Sequence, residues 1–372
     1  MADDWDDLRR LSLARQFPDS TGADPPTVAA TIARVGPIQS QTARSPYVAL
    51  GARLPGVTHA DVTAAYESWA IVRGSTIRGT VHTSTGADHA LLDATTRVGN
   101  RSLWTRSLRL EHTSMEEVWA AIEEFAGSAW RTPAELRTFL TTWLVDHEEP
   151  EAAVRLDTQA GRFLAFGHGG LLRRPLAGDW SGQGAPVYRT ATAVLPRRPV
   201  PADPVAEAVR THVAAYGPAT RHDVAWWSGL GLRQVDALLG RLELVWSEGP
   251  DGHAYADVPR SPAPRELPGV RLLPEFDAVV CGYGPRGRHR FVAPADNAVL
   301  WHRANGLMLA PVLVDGRVGG HWRLEGSGRS KTLAVALFPG ARRPRRAELD
   351  EPVAALAAAL GLPVASVAVT RR

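Results

Sequence analysis

The sequence predicts an α+β fold in which groups of short helices precede paired strands and a β-rich region follows. Two observations lead to this prediction. Three short helices followed by a pair of strands recur three times before residue 260. After Pro259 the chain changes to short apolar β runs separated by Gly and Pro turns. Three helices and a hairpin are the layout of a winged helix, so we predict three tandem winged-helix units and a small C-terminal β-barrel.

The first predicted unit spans residues 1–113 and contains the most irregular pattern. Helical periodicity predicts helices at Asp6–Gln16, Pro25–Val35 and Thr58–Trp69. The segment "AIVRGSTIRGTVHTST" then predicts two strands that turn around Gly74. Two further helices, "DHALLDATTRV" and "RSLWTRSLRLEH", are expected to pack onto this unit.

The second and third predicted units span residues 114–200 and 201–260. In the second, helices in "SMEEVWAAIEEFAG", "TPAELRTFLTTWL" and "EAAVRLDTQAGRFLAFG" lead into a long basic wing, "GLLRRPL" to "VYRTATAVL". The third is the clearest, because Asp203 is placed to cap its first helix and two more helices are bounded by Gly. A hairpin around "PDG" closes it.

The remaining chain predicts a β-barrel over residues 261–340 and a helix or tail over residues 341–372. The dipeptide Asp-Gly in "VDGR" is a strong hairpin signal between two apolar runs. The segment "RRAELDEPVAALAAALGLP" has the pattern of an amphipathic helix that could cover an open edge of the sheet.

Composition excludes several classes of protein. The chain has 372 residues and a net charge of +3, with arginine supplying nearly all the basic charge and Lys331 as a single lysine. Clustered arginines suit phosphate contact, which favours a nucleic-acid partner. The lone Cys281 excludes an internal disulfide and a Cys-based zinc site, and the twelve histidines form no zinc triad. With no apolar signal region or convincing membrane span, we expect a cytoplasmic, nucleoid-associated monomer without a metal.

The segment "GPIQSQTARSPYVAL" places two amides, Gln39 and Gln41, one residue apart in an apolar stretch. The preceding Gly-Pro and the following Pro46 disfavour a regular helix, and on an extended segment such residues project to the same side. Both amides can then address one point. Taken alone, the pattern favours two glutamines that cap or bridge neighbouring backbone groups.

Five collinear segments, listed here, carry a resemblance to a known family: "GPIQSQTARSPYVALGARLPG", "STIRGTVHTSTGADHALL", "YGPATRHDVAWWSGL", "LLPEFDAVVCGYGPRGRH" and "PVLVDGRVGGHWR". The chain resembles the AlkZ-like winged-helix DNA glycosylases. The resemblance implies a C-shaped molecule around double-stranded DNA that excises alkylated purines without a cofactor. Some family members unhook interstrand crosslinks of the azinomycin type.

The same resemblance implies candidate site residues. The catalytic signature Gln-x-Gln of the AlkZ branch, which is tied to self-resistance against natural products, falls on Gln39 and Gln41. Between them stands Ser40, where an aliphatic or small residue is typical. The candidates for supporting the site are His82, Thr80 and Ser40, and the candidates for contacting DNA are Arg44, Arg286, Arg288 and Arg317. Tips at 284–290 and 314–320 are hairpin candidates for entering a groove.

Two features bear on the mechanism and its alternatives. Lys331 falls in a predicted barrel strand, so we expect a monofunctional glycosylase without a lysine Schiff base. A non-catalytic winged-helix regulator would read bases through helices at Thr58–Trp69 and Leu232–Leu242. The first offers little base-reading chemistry, which weighs against that alternative. A protein that only sequesters an alkylating toxin is the third class.

Overall fold

A computed structural model describes residues 4–18, 27–158, 161–302, 306–326 and 331–371. Its helices are α1 Trp5–Gln16, α2 Val28–Val35, α3 Ser45–Gly51, α4 His59–Glu67, α5 Gly86–Leu108, α6 Met115–Gly127, α7 Pro133–His147, α8 Pro150–Val154, α9 Ala191–Val194, α10 Pro204–Tyr216, α11 Arg221–Ser228, α12 Leu232–Leu239, α13 Ala278–Cys281, α14 Pro294–Leu300 and α15 Ala347–Leu360. Its strands are β1 Ile38–Gln39, β2 Ile71–Thr76, β3 Thr80–Thr85, β4 Leu171–Pro175, β5 Pro186–Thr190, β6 Val245–Glu248, β7 Ala254–Asp257, β8 Val270–Leu272, β9 Trp301–His302, β10 Leu307–Met308, β11 Ala310–Val314, β12 Arg317–Glu325, β13 Lys331–Leu337 and β14 Val364–Arg371.

The N-terminal helices begin where side chains cap them. Asp4 caps α1 by accepting a hydrogen bond from the Asp7 amide at 2.7 Å, and Thr58 forms a capping box at the start of α4. The helix predicted over Pro25–Val35 is present as α2, which begins at Val28. Pro25 and Pro26 lie outside the described residues. The unpredicted α3 follows the glutamine pair with Pro46 in its first turn, where proline is tolerated.

One five-stranded sheet joins the first two predicted units, in the order β1-β3-β2-β4-β5. The predicted pair of strands is present as β2 and β3, but Gly74 lies inside β2, opposite His82 of β3 and Leu172 of β4, and not between the two strands. Its missing side chain lets the His89 ring approach, since a Cβ there would lie 2.6 Å from His89 Cε1. The turn is instead the short 3-10 segment Ile77–Gly79.

Two helix predictions in the middle of the chain need correction. The two helices expected after β3 form one continuous helix, α5, which ends at Arg109 in the left-handed conformation. The third helix expected in the second unit is only α8, continued by 3-10 turns at Arg155–Asp157 and Gly161–Phe163. By contrast, α10, α11, α12 and the hairpin β6–β7 match the predicted elements of the third unit.

The C-terminal region, expected to form a small barrel or a curled sheet, forms a half-barrel sheet with strand order β14-β13-β12-β11-β8. The Asp-Gly hairpin is confirmed: Asp315 and Gly316 both have positive φ, as the tight turn between β11 and β12 requires. β14 was not predicted and pairs in parallel with β13. The stretch 273–300, expected to contain strands, instead contains α13, α14 and a 3-10 turn.

Helix α15 covers the half-barrel and connects it to the N-terminal segment. Its Leu356 and Leu360 share one core with Tyr47 and Leu50 of α3 and with Val312 of β11. None of the helices among the described residues is both long and apolar enough to cross a membrane.

A buried ion pair ties the N-terminal region of the chain to its C-terminal region. Arg53, just after α3, donates to both carboxylate oxygens of Asp277 at 2.7 and 2.9 Å. Both side chains are only 2% exposed. Arg53 also donates to the Gln16 carbonyl, while the Gln16 amide donates to the carbonyls of Val35 and Ala215. Segments separated by more than 200 residues therefore meet immediately before the glutamine pair.

The Asp277→Ala substitution is expected to lower the free energy of unfolding by about 3–5 kcal/mol, because it leaves the Arg53 charge buried and unpaired. Chemical denaturation measures this effect. The exposed pair Arg323–Glu325 supplies the control: Glu325→Ala should change stability by less than about 1 kcal/mol. Equal, small effects of both substitutions would contradict the structural role assigned to Arg53–Asp277.

Candidate active site

The backbone before the glutamine pair is held by a glycine. Gly36 follows α2 with φ of +86°, a conformation that side-chain-bearing residues rarely adopt. A Cβ at this position would collide with the Tyr216 hydroxyl, so the end of α10, which carries Tyr216, packs directly beneath Gly36. Strand β1 then pairs with β3 and places Gln39 opposite His82. Directly opposed residues share a face of a sheet, so His82 lies beside Gln39.

The two candidate catalytic amides contact each other. Gln39 Nε2 donates to Gln41 Oε1 at 2.7 Å. Gln39 is buried, with 8% of its surface exposed, whereas Gln41 is exposed. This contact places both side chains on the same side, and only the second glutamine faces solvent.

Arg78 is the site residue that sequence reasoning missed. Its Nη2 donates to Gln39 Oε1 at 3.2 Å and its Nη1 donates to the Trp227 carbonyl at 2.5 Å. Arg78 has φ of +59°, in the turn between β2 and β3. Burial lowers the pKa of its guanidinium below the ordinary value, although arginine remains charged. The only sequence signal was its place in "STIRGTVHTST".

His82 is a neutral residue beside the amides. Its side chain is 3% exposed, and burial, assisted by the Arg78 charge, lowers its pKa to about 3. Nδ1 lies 3.0 Å from the Thr80 carbonyl oxygen, so the neutral ring donates its Nδ1 proton there. The Thr76 hydroxyl lies 3.1 Å from the same nitrogen. At neutral pH, His82 contributes shape and a fixed tautomer rather than charge.

Ser40 faces away from the two amides, because successive residues of a strand point to opposite faces. Its amide donates to the Val81 carbonyl at 2.7 Å, and its hydroxyl lies 2.7 Å from the Thr83 hydroxyl. Thr83 in turn lies 2.6 Å from the Tyr66 hydroxyl. A small polar residue fits here because the position is buried among hydroxyl groups, and it anchors the strand from behind.

Two further residues secure the surrounding backbone. Thr80 donates its hydroxyl proton to the Ile77 carbonyl at 3.2 Å, closing the turn that carries Arg78. Arg73 is buried and donates to the carbonyls of Ala43 and Trp180 and to the Tyr66 hydroxyl. Thr80 and Ser40 thus act on the backbone in this structure and do not touch the amides of Gln39 or Gln41.

Three of the four predicted DNA-contacting arginines reach the surface. Arg44 is 36% exposed and pairs with Glu275 at 2.6 Å. Arg317 is half-exposed and pairs with Asp6. Arg286 is exposed, and its Nη1 lies 3.4 Å from His253 Nε2.

Arg288 is placed differently from the prediction. The segment 284–290 is not a hairpin tip, because Gly287–Arg290 forms a 3-10 turn packed against the core. Arg288 is 4% exposed, and its guanidinium lies between the rings of Trp226 and Trp301, 4.7 and 4.6 Å from their centroids. It also donates to the Val280 carbonyl at 3.0 Å. Cation–π contacts with two rings inclined at 72° to each other stabilise the charge of this buried arginine.

The chemistry of the site is neutral apart from one guanidinium. Among the contacts of the described residues, no carboxylate touches Gln39, Gln41, Arg78 or His82. Over the same ranges, no group of three or more His, Cys, Asp and Glu side chains could hold a metal ion. The arrangement offers hydrogen-bond donors and acceptors for orienting a molecule. It offers no strong base.

The model of the family described as "DNA glycosylase AlkZ-like" matches residues 32–359, which include the glutamine pair and almost the entire fold. The chain belongs to the AlkZ-like DNA glycosylase family. DNA is therefore the substrate of this glycosylase. A search of curated proteins gives no match.

A solved structure agrees with this assignment at the level of the fold. The Streptomyces sahachiroi DNA glycosylase AlkZ has a TM-score of 0.79 to this chain, with 20% sequence identity and 100% of each chain covered. The glycosylase thus shares the mixed α+β fold of that protein, including the half-barrel sheet.

Acidification is expected to destabilise the glycosylase through its buried histidines. His82 and His168 have pKa values lowered to about 3, below the value of about 6.5 for the unfolded chain. The stability that these neutral rings contribute is present above about pH 6.5 and is lost as the pH falls toward the folded pKa. Each ring adds a slope of about 1.4 kcal/mol per pH unit.

Denaturation of wild type and His82→Gln between pH 7 and 5 measures this slope. The variant should show a pH dependence shallower by about 1.4 kcal/mol per unit below pH 6. The exposed His147 supplies the control, since His147→Gln should leave the slope unchanged. A wild-type slope in His82→Gln would mean that His82 is not held neutral.

Proposed function

We propose that this glycosylase is monofunctional and hydrolyses the N-glycosidic bond of purines alkylated at N7 or N3, including purines in interstrand crosslinks. The observation that carries the proposal is the Gln39–Gln41 amide pair in a site without a carboxylate. Membership in a DNA glycosylase family weighs against the two other classes considered, a non-catalytic regulator and a protein that only sequesters a toxin.

Two neutral amides suit a substrate whose leaving group is already activated. A purine alkylated at N7 or N3 is positively charged, so its glycosidic bond is weak and the departing base needs no proton. The enzyme then has to place a water near C1′ and tolerate the oxocarbenium charge on the sugar. Amide dipoles can do both without a full charge, through orientation and preorganised electrostatics. An unmodified purine would leave too slowly, which gives selectivity for cationic lesions.

The exposure of Gln41 supports a bulky or crosslinked substrate. Because the second amide faces solvent, a lesion can reach it without entering a deep pocket. The Gln-x-Gln form of the motif is also that of the branch tied to self-resistance against alkylating natural products. We therefore assign the enzyme to repair of such damage, with no cofactor.

The surface arginines supply the frame for DNA binding in this proposal. Three winged-helix units and the half-barrel would surround the duplex in a C shape. Arg44, Arg286 and Arg317 would contact phosphates. The hairpin tip predicted at 314–320 does not join them, because Arg9 Nη1 donates to the Asp315 carbonyl at 3.1 Å and the buried Gly316 packs against Leu13 of α1. Arg288 does not join this set, because its guanidinium is held between Trp226 and Trp301.

Gln39→Ala and Gln41→Ala should each slow release of N7-methylguanine by about 100-fold under single-turnover conditions, because the site loses its oriented amides. Affinity for the same DNA should stay within about twofold, since phosphate contacts dominate affinity. Gln183→Ala, which truncates an exposed glutamine in the loop before β5, is the control and should keep the wild-type rate. Wild-type release by both site variants would sink the assignment.

The same assay separates the three functional classes. A glycosylase releases free modified base from DNA that carries N7-methylguanine or a crosslink. A regulator binds DNA without release, and a sequestering protein binds the alkylating compound itself.

Borohydride is expected to trap no covalent adduct between the enzyme and its DNA substrate, because a Schiff base needs an amine at the sugar. Lys331 lies at the start of β13 in the half-barrel, where its Nζ donates to the Gly326 carbonyl at 2.7 Å. The product should be an intact strand with an abasic site. A trapped adduct that Lys331→Arg abolishes would overturn the monofunctional mechanism.

A further inference from the structure

We propose that Arg78 is a positioning residue that fixes the orientation of both site amides and thereby gives the two glutamines different roles. The inference rests on the proposed function and deepens it. Three observations carry it: the hydrogen-bond chain Arg78–Gln39–Gln41, the anchoring of Arg78 to the end of α11, and the difference in exposure between the glutamines.

The chemistry of a guanidinium determines which atoms donate and which accept along the hydrogen-bond chain Arg78–Gln39–Gln41. A guanidinium donates hydrogen bonds and accepts none, so the atom of Gln39 that faces Arg78 has to be Oε1. Gln39 Nε2 is thereby turned toward Gln41, and because it only donates, Gln41 has to present Oε1. One charged donor therefore sets the orientation of two amide groups, neither of which can flip without losing its partner.

The consequence is a division of labour within the pair. The carbonyl of Gln39 accepts a hydrogen bond from Arg78 and is buried, so it is not the group that accepts a hydrogen bond from the attacking water. The carbonyl of Gln41 accepts one hydrogen bond from Gln39 and keeps a second lone pair at an exposed position. Gln41 is thus the catalytic residue that holds the water, and Gln39 positions it.

Arg78 is itself fixed by α11, which belongs to the third predicted unit. Its Nη1 donates to the Trp227 carbonyl, near the end of α11. Gly229 caps that helix with φ of +77°, and a Cβ there would lie 3.6 Å from Arg78 Cγ. The left-handed backbone of Arg78, which is uncommon for a residue with a side chain, aims the guanidinium between α11 and Gln39.

The sign of the charge argues against a direct electrostatic role for Arg78. A guanidinium beside the sugar would repel the oxocarbenium rather than stabilise it. Its contribution therefore comes from ordering the amides before the substrate arrives. A free glutamine loses rotamer freedom when it is ordered, and a site that is ordered in advance avoids this cost during the reaction.

Arg78→Met, Arg78→Lys, Gln39→Ala and the double variant Arg78→Met/Gln39→Ala test the inference. The substrate is DNA with one N7-methylguanine, and the readouts are the single-turnover release rate at saturating enzyme and the DNA affinity. Arg78→Met should slow release by roughly 10- to 100-fold and leave affinity within about twofold. The release rate of Arg78→Lys should lie between those of Arg78→Met and wild type, because an ammonium donates hydrogen bonds but lacks the fork of a guanidinium that reaches both partners.

The double variant is the decisive measurement. If Arg78 acts through Gln39, adding Arg78→Met to Gln39→Ala should slow release by less than about twofold further, because the two residues share one function. Arg97→Met, which removes a half-buried arginine paired with Asp93 and Glu123, is the matched control and should keep the wild-type rate. Thermal unfolding of each variant separates a loss of fold from a loss of rate.

The outcomes distinguish this inference from the function on which it rests. Wild-type release by Gln39→Ala and Gln41→Ala would overturn the proposed function. If those variants are slow, a wild-type rate in Arg78→Met or multiplicative effects in the double variant would overturn the role of Arg78 alone. Weaker DNA binding by Arg78→Met, with an unchanged rate at saturation, would make Arg78 a phosphate contact and would also overturn the inference.

Discussion

The buried ion pair Arg53–Asp277 is the interaction on which the arrangement of this molecule depends. Each side chain is 2% exposed, so the cost of desolvating both charges is offset only while the bidentate contact is intact. Through Gln16, the same network reaches the carbonyls of Val35 and Ala215, at the ends of α2 and α10. The ends of α2 and α10 and the segment around Asp277 are therefore fixed relative to one another, immediately before the strand that carries Gln39.

The candidate active site is assembled from parts that are distant in sequence, and each is fixed by a different physical device. Pairing of β1 with β3 sets the position of Gln39 against His82. A glycine allows Tyr216 to pack under the entering backbone. The carbonyl of Trp227 holds Arg78, which in turn contacts Gln39. The exposed Gln41 thus extends from a rigid support, which suits the role proposed for it, the orientation of a water.

The site combines neutral amides with a neutral imidazole, which suits the proposed reaction, because its leaving group already carries charge. A carboxylate would be a stronger base, but excision of a cationic purine needs orientation more than basicity. In the mechanism proposed, the single cation is kept away from the sugar by an intervening amide, so it orders the site without opposing the oxocarbenium. Membership in the AlkZ-like family supplies the reaction class, and the division of roles proposed for Gln39 and Gln41 rests on the geometry of their hydrogen bonds.

The sequence by itself determined the local features: the spacing of Gln39 and Gln41, the three helices and hairpin of the third unit, and the Asp-Gly turn after β11. Each follows from contacts within a few residues, such as caps, periodicity and turn preferences. Only the tertiary structure decided that β2 and β4 share one sheet, that Arg288 is buried, and that Arg78 reaches Gln39. The last of these depends on contacts between residues 39 and 149 positions apart, which local patterns do not encode.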